Sequence, residues 1–307
     1  MNGTRKICVI TGANKGIGYE AALTLGLMGW EVVLACRSFA RGNQAVMALN
    51  SIFRQTDPGG KSQGLAVFME LDLDSFASVD NFLVGFKKRY HACDALICNA
   101  GQMGGPYAQT ADGFERQVGV NYLGHVALFA HLYPFLKGSP DARVVQVSSR
   151  AHERTNLAEG ELPNIARQPK DAYNPWKAYA QSKLLQVLFT LKAQEVYGSE
   201  SLRFYAVHPG VVATELLLSP LPGPARTILR PLARVCTTVG LLQTPKQGAD
   251  AITHPVLASP APRGGTYWAR GSLREPNPLV RSKTLQDDVW KHTWDLLAAS
   301  GIQAPRI

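Results

Sequence analysis

Short apolar runs alternate along the chain with longer stretches whose apolar residues recur at helical spacing. Runs rich in Val, Ile and Leu occupy residues 6–11, 31–36, 65–71, 94–98, 143–148 and 202–207. Between them, residues 16–28, 38–54, 75–90, 113–136 and 175–197 show the three-and-four spacing of amphipathic helices. Strands that are apolar throughout, rather than at every second position, are buried on both faces. Strand–helix alternation of this kind predicts an α/β fold: a doubly wound parallel sheet with helices on both faces. Leu285, Val289, Trp290, Trp294 and Leu297 add a C-terminal helix that docks on the core. Two stretches resist the pattern, residues 151–174 and 214–247. Neither is long or periodic enough for a second domain, so residues 1–307 read as one domain.

Composition narrows the function classes. With 46% hydrophobic and 18% charged residues the chain can build a sizeable core, which excludes global disorder. The surplus of 32 Lys+Arg over 23 Asp+Glu, a net +9, raises a nucleic acid, an anionic membrane surface or a phosphorylated ligand as partner. No basic aromatic ribbon, zinc spacing or recognition motif supports a nucleic acid. No run approaches the ~20 apolar residues of a spanning helix, which leaves peripheral membrane contact open. The cysteines, Cys8, Cys36, Cys93, Cys98 and Cys236, are odd in number and show no CxxC pair. That argues against a disulfide framework and a metal site, and for a reducing compartment. No charged-then-apolar leader precedes the first strand, so a cytoplasmic location is expected. The terminal Pro305-Arg306-Ile307, set against Ser-Lys-Leu, is the one hint of a peroxisome-like organelle.

The candidate chemistry begins where the first strand ends. It runs directly into Thr11-Gly12-Ala13-Asn14-Lys15-Gly16-Ile17-Gly18, a GxxxGxG spacing that opens a helix. A strand that turns sharply into a helix there lets backbone N–H groups approach a pyrophosphate, and a side chain at any of these glycines would intrude. At the end of the second strand an NAD site usually carries an acid for the ribose 2′-OH. This chain has Cys36-Arg37-Ser38 instead. Arg37 and Lys15 can both hold a 2′-phosphate, so NADP(H) is the expected cofactor. Asp72, with Leu73 beside it, follows the third strand and can bond the adenine amino group or cap the next helix.

A second set of residues points to proton transfer. Tyr179-Ala180-Gln181-Ser182-Lys183 places a tyrosine and a lysine on one face of a helix. An ammonium beside a phenol favours the phenolate and is expected to lower its pKa, which suits the pair to carbonyl chemistry. Ser148-Ser149 ends the fifth strand, at the carboxyl edge where open parallel sheets bind ligands. A hydroxyl there can polarise a substrate oxygen. Asn121 sits inside an expected helix, where asparagine is not favoured, which suggests a role such as holding a water near the lysine. His152 is expected to position the 151–174 insertion rather than to move protons.

Taken in order, Thr11–Gly18, Cys98-Asn99-Ala100-Gly101, Asn121, Ser149, Tyr179, Lys183 and His208-Pro209-Gly210 resemble the short-chain dehydrogenase/reductase family over most of the chain. The resemblance implies a seven-stranded Rossmann-type sheet and a Ser149–Tyr179–Lys183 centre assisted by Asn121, with Ser148 structural. It implies that Asn99, Ala100 and Gly101 lie along the cofactor, that Pro209, Gly210 and Val212 flank the nicotinamide, and that Thr214 touches its carboxamide or the pyrophosphate. Ala35-Cys36-Arg37, Ser149-Arg150-Ala151-His152 and Thr244-Pro245 are similar to the retinol-dehydrogenase-like branch, which includes the WW-domain oxidoreductase. Ser149 and Tyr179 stand 30 residues apart, so 151–174 reads as an insertion of that branch. Residues 214–247 resemble its substrate lid, and Arg226, Arg230 and Arg234 would form a basic stripe if helical. The expected substrate is a small hydrophobic carbonyl or alcohol, and the expected assembly a monomer or homodimer. The competing expectation is a non-catalytic NADP(H)-binding redox sensor or scaffold.

Overall fold

The computed structural model describes residues 5–57, 64–212 and 242–306. Among the described residues eight strands form one sheet: β1 (Ile7–Thr11), β2 (Glu31–Cys36), β3 (Leu65–Glu70), β4 (Ala95–Cys98), β5 (Ala142–Val147), β6 (Leu202–His208), β7 (Thr266–Ala269) and β8 (Ser272–Arg274). Their order is β3-β2-β1-β4-β5-β6-β7-β8. The first seven run parallel, in registers such as Val9 opposite Val33 and Val145 opposite Tyr205. The seven-stranded parallel expectation therefore holds, extended at one edge by β8, which pairs antiparallel with β7. The helices are α1 (Gly16–Leu27), α2 (Phe39–Thr56), α3 (Phe76–Arg89), α4 (Arg116–Val118), α5 (Gly124–Lys137), α6 (Leu162–Ala166), α7 (Pro175–Tyr197), α8 (Pro245–Leu257) and α9 (Lys283–Ala298).

Alternation along each strand sorts the core into two layers. Val9, Val33, Leu96 and Phe204 face one side, where α3, α5, α7 and α9 pack through Phe82, Phe129, Leu188 and Val289. Ile10, Val32, Leu34, Ile97 and Tyr205 face the other, against Leu25 of α1, Leu49 and Phe53 of α2 and Ile252 of α8. Both layers are largely apolar because successive side chains of a strand point to opposite faces and both faces are covered. The sheet grows outward in both directions from the β1–β4 pair. That makes the carboxyl ends of β1 and β4 the topological switch point, where the parallel strands leave a crevice.

Three sequence expectations need correction. The single helix expected over 113–136 is broken into α4, a π-helical turn Gly119–Leu123, and α5. The turn is closed by the Gly124 N–H bonding the Gly119 carbonyl, a five-residue spacing that apolar periodicity does not register. The insertion is not irregular throughout: it holds α6 and two 3-10 turns, Arg150–Arg154 and Lys170–Ala172, and buries Leu157, Leu162 and Ile165. The C-terminal third adds α8, β7 and β8, whose places the residue pattern did not mark. β7 has four residues and β8 three, all exposed in β8, too short for a periodicity to show.

Candidate active site

Two cavities meet in the crevice. One, of 540 Å³, is lined by the loop after β1 (Gly12, Asn14, Lys15, Gly16, Ile17), by Arg37, Asp72 and Leu73, and by Asn99, Ala100 and Gly101 after β4. The other, of 690 Å³, is lined by Ser149, Tyr179, Lys183 and the run from His208 to Val212. Ile17, Asn99 and Gly101 belong to both walls, so the two form one continuous trough.

The loop is held by backbone geometry that only glycine accepts easily. Gly12 and Gly16 have φ of +67° and +59°. α1 begins at Gly16 with no side-chain cap and no acid in its first turn, which suits an anion at that end. Gly18 does not line the cavity. A Cβ there would meet Asn99 Nδ2 at 2.6 Å and the Gly12 carbonyl at 2.9 Å, so it is glycine for close packing behind the loop. Asn99 completes that packing: its Nδ2 donates to the Thr11 carbonyl at 2.9 Å, and its backbone N–H donates to Thr11 Oγ1 at 2.9 Å. A glycine cradle of this shape, opening on a trough with cations at one end, fits a nicotinamide dinucleotide.

At the end of β2 the wall carries Arg37 and also Ser38 and Arg41, neither of which was expected. Arg41 lies in the first turn of α2, where Ser38 accepts its backbone N–H at 3.4 Å. The signal was available, since Arg41 falls one helical turn beyond Arg37. Asp72 caps no helix. One of its carboxylate oxygens accepts the Asp74 N–H at 3.1 Å and the other stands 4.0 Å from Arg37. The N–H of Phe76, at the start of α3, is instead bonded by Asp112 at 2.9 Å.

Of the catalytic candidates, Tyr179 and Lys183 are buried and Ser149 is half-buried. Tyr179 is buried and hydrogen-bonded by the Ser149 side chain. Burial raises the tyrosine above its ordinary value, and the Ser149 bond opposes this only in part. This sign is opposite to the sequence expectation, because loss of water is the largest effect on the phenol. Lys183 Nζ lies 5.7 Å from the Tyr179 ring centroid and donates to the Val147 carbonyl at 2.9 Å and to Gln186 Oε1 at 3.0 Å. Burial lowers its pKa to about 7. Ser148 is structural, as expected: its hydroxyl donates to the Lys183 carbonyl at 2.8 Å and ties β5 to α7. Ser149 accepts the Ala151 N–H and caps the 3-10 turn that follows, which fixes its hydroxyl at the strand end.

Asn121 lies behind this surface rather than in the cavity wall. Its side chain donates to the Gln102 carbonyl at 2.9 Å and to Ser182 Oγ at 3.0 Å, and accepts the Gln102 N–H at 2.7 Å. Its main-chain carbonyl, on the π turn, accepts Gln186 Nε2 at 2.8 Å, and Gln186 Oε1 in turn accepts from Lys183. His152 positions the insertion, as expected. Its Nδ1 donates to the Ser149 carbonyl at 2.7 Å, which leaves Nε2 to accept the Asn277 N–H at 3.2 Å. Burial holds its pKa below the usual imidazole value.

Pro209, Gly210 and Val212, expected beside the nicotinamide, line the substrate-side cavity. Thr214, the Arg226–Arg230–Arg234 stripe and most of the expected lid lie outside the described residues. The end of that lid is described, and it is ordered structure: Gln243 bridges Val212, and Thr244 caps α8 in a capping box with Gln247. The cavity wall also contains Met103, Arg154 and Trp176, which no sequence motif marked. Among the described residues no helix is long and apolar enough to cross a membrane.

Comparison with known proteins accounts for the arrangement. Residues 6–159 match the model of the short chain dehydrogenase family. Human retinol dehydrogenase 12 is 34% identical over 95% of this chain and 86% of its own length. Mouse polyprenol dehydrogenase is 33% identical over 96% of this chain and 85% of its own length. Among solved structures, an uncharacterised protein from Mycobacterium paratuberculosis superposes with a TM-score of 0.73 at 28% identity, covering 99% of this chain and 96% of that one. With its glycine cradle, its parallel sheet and these relatives along nearly its whole length, the chain belongs to the short-chain dehydrogenase family of oxidoreductases.

Proposed function

We propose that this oxidoreductase uses NADP(H) to interconvert a hydrophobic carbonyl compound and its alcohol, with Tyr179 as the proton donor and acceptor. The observation that carries the reading is the meeting of Ser149, Tyr179 and Lys183 in one wall of a trough continuous with the glycine cradle. The cofactor supplies or accepts hydride at the nicotinamide. The protein does the rest. Ser149 donates a hydrogen bond to the substrate oxygen and places it against Tyr179, whose hydroxyl gives up its proton as negative charge develops on that oxygen. Burial keeps Tyr179 protonated at neutral pH, the form a reductase needs. Lys183 favours the phenolate left behind.

Preference for the phosphorylated cofactor rests on charge. Lys15, Arg37 and Arg41 line the nucleotide cavity against a single lining carboxylate, Asp72, which already faces Arg37. A carboxylate that bonds a ribose hydroxyl is missing from the end of β2, and two guanidiniums stand there instead. For the substrate, Ile17, Met103, Ala151, Trp176, Val211 and Val212 give the larger cavity an apolar wall. The relatives are named for retinol and polyprenol, both long apolar alcohols, which agrees with that wall.

The test is a screen of NADPH and NADH oxidation over aldehydes, ketones, quinones and steroids, with the reverse reaction on retinol and polyprenols. Turnover that requires an apolar carbonyl and prefers NADPH is the expected result. No turnover on any of them, with NADPH nonetheless bound, would turn the reading toward a redox sensor.

A further inference from the structure

The π-helical turn gives one backbone group an unusual role. The Asn121 carbonyl accepts two side-chain N–H groups, Gln186 Nε2 at 2.8 Å and His125 Nδ1 at 3.0 Å. Gln186 is fully buried on α7, and its other amide atom, Oε1, accepts from Lys183 Nζ at 3.0 Å. With Nδ1 donating, His125 Nε2 accepts the Thr11 hydroxyl at 2.9 Å. Thr11 Oγ1 in turn accepts the backbone N–H groups of Asn99 and Ala100. A hydrogen-bonded chain of protein atoms thus joins the lysine to the end of β1, where the glycine cradle starts. On the sheet side, Gln146 Oε1 of β5 lies 3.4 Å from Gln186 Nε2 and confines the amide to this orientation.

We propose that Gln186 is a positioning residue for the reaction: its amide spans Lys183 Nζ and the Asn121 carbonyl, holding the ammonium beside Tyr179 and tying it to the cradle. The proposal rests on the reading of Tyr179 and Lys183 given above. The chemistry follows from the donor and acceptor inventory. Lys183 has three N–H groups in its protonated form, and two are taken by the Val147 carbonyl and Gln186 Oε1. The third is left for the crevice. An amide is the side chain that can accept from an ammonium and donate to a carbonyl at once. Leucine can do neither, and a carboxylate only the first. The titratable groups facing Lys183 do not do this work. Burial holds Tyr179 on α7 and Cys98 at the end of β4 above their usual values, and lowers His125 on α5 to about 4, so all three are neutral at pH 7.

Two substitutions of similar size test the proposal in opposite directions. In Gln186→Leu the ammonium loses one of its two buried acceptors, and Lys183 in the cofactor-free protein should titrate about one pH unit lower. In Gln186→Glu it gains an anionic acceptor and should titrate about one unit higher. Lysine side chains labelled with carbon-13 at the ε position, observed by NMR, report this directly, with the Lys183 signal identified by its loss in Lys183→Met. The pH limb of kcat/KM should move in step with that titration. For Gln186→Leu kcat should fall about tenfold while the substrate KM changes little, since the interaction acts on the proton donor and not on binding. Shifts of the same sign in both variants, or no shift in either, would overturn the proposal and leave Gln186 a packing residue. If Gln186→Leu does not fold, the near-isosteric Gln186→Glu still gives a signed answer. The NMR titration needs no turnover, so a wild-type protein inactive in the carbonyl screen would defeat the proposed function without deciding this point.

Discussion

The two halves of the crevice are built differently. About half of the nucleotide wall comes from one continuous piece of chain, from Gly12 at the end of β1 to Arg41 at the start of α2. The substrate half is assembled from five separated pieces: Ile17 of α1, the loop after β4 as far as Met103, the end of β5 with the 3-10 turn that follows it, the first turns of α7, and the run after β6. Its shape depends on side chains far apart in sequence. Asn277, more than a hundred residues past Ser149, donates to the His152 and Thr155 carbonyls at 2.9 and 3.0 Å and so fixes the turn that carries the cavity wall. A local cradle tolerates few changes in its own short segment. An assembled wall can vary piece by piece while the chemistry stays in place.

The sharpest way to separate the halves is Tyr179→Phe. It removes one oxygen from the substrate half and nothing from the cradle. Turnover should fall about 10²- to 10⁴-fold, the usual scale for a general acid. Cofactor affinity, read by quenching of protein fluorescence, should stay within about twofold of wild type. Retained turnover would remove Tyr179 from the mechanism.

The converse change is Gly18→Ala. Its Cβ would lie 2.6 Å from Asn99 Nδ2 and 2.9 Å from the Gly12 carbonyl and Ala13 Cα, mostly backbone that cannot swing away. Overpacking of this kind costs about 1–3 kcal/mol. Because Asn99 and Gly12 shape the cradle, cofactor binding should weaken at least about tenfold, with a lower melting temperature. An unchanged dissociation constant would show that the cradle relaxes, and that the local half is less rigid than its geometry implies.

This contrast also explains what was legible in the sequence. The strand at residues 31–36 and the helix at 175–197 have the bounds expected of them, because burial on both faces or on one long stripe writes itself into periodicity. The cradle was legible because its glycines answer to local backbone geometry at Gly12 and Gly16. The π turn was not: its Asn121 carbonyl bonds Gln186 of α7, which is far along the chain and reached only after folding. The sign of the Tyr179 shift was misjudged for a related reason. Spacing places Lys183 near the tyrosine but says nothing of how completely both lose water. Trp176 and Arg154 entered the cavity wall through the packing of the insertion, which no motif encodes.

A smaller effect is expected at the nucleotide end. Arg37 is 63% exposed, so solvent discounts its pull on a 2′-phosphate. Arg37→Asp should nonetheless shift the ratio of kcat/KM for NADPH over NADH about tenfold or more toward NADH, since it removes a cation and adds an anion at one place. Arg41→Ala should move the same ratio less. If only Arg41→Ala moves it, the phosphate is held by α2 and not by the end of β2.

The smallest effect is a slope rather than a loss. Lys183 is lowered to about 7 in the fold from an ordinary 10.5. Between those two values the unfolded chain holds a proton on this lysine that the folded chain lacks. Stability should therefore rise with pH across that window, by at most about 1.4 kcal/mol per unit from this group; below pH 7, where both states are protonated, the slope vanishes and the cost of burying the ammonium is at its full size. Lys183→Met removes the term. It also leaves the Val147 carbonyl and Gln186 Oε1 without their donor, but that cost does not depend on pH. Denaturant titrations of the cofactor-free proteins at pH 7 and pH 9 should thus show wild type gaining on Lys183→Met as the pH rises, whichever is more stable at the start. Parallel curves would mean that Lys183 stays protonated throughout, and that the substrate half of the crevice is wetter around its ammonium than the closed packing of Gln186, Val147 and Tyr179 implies.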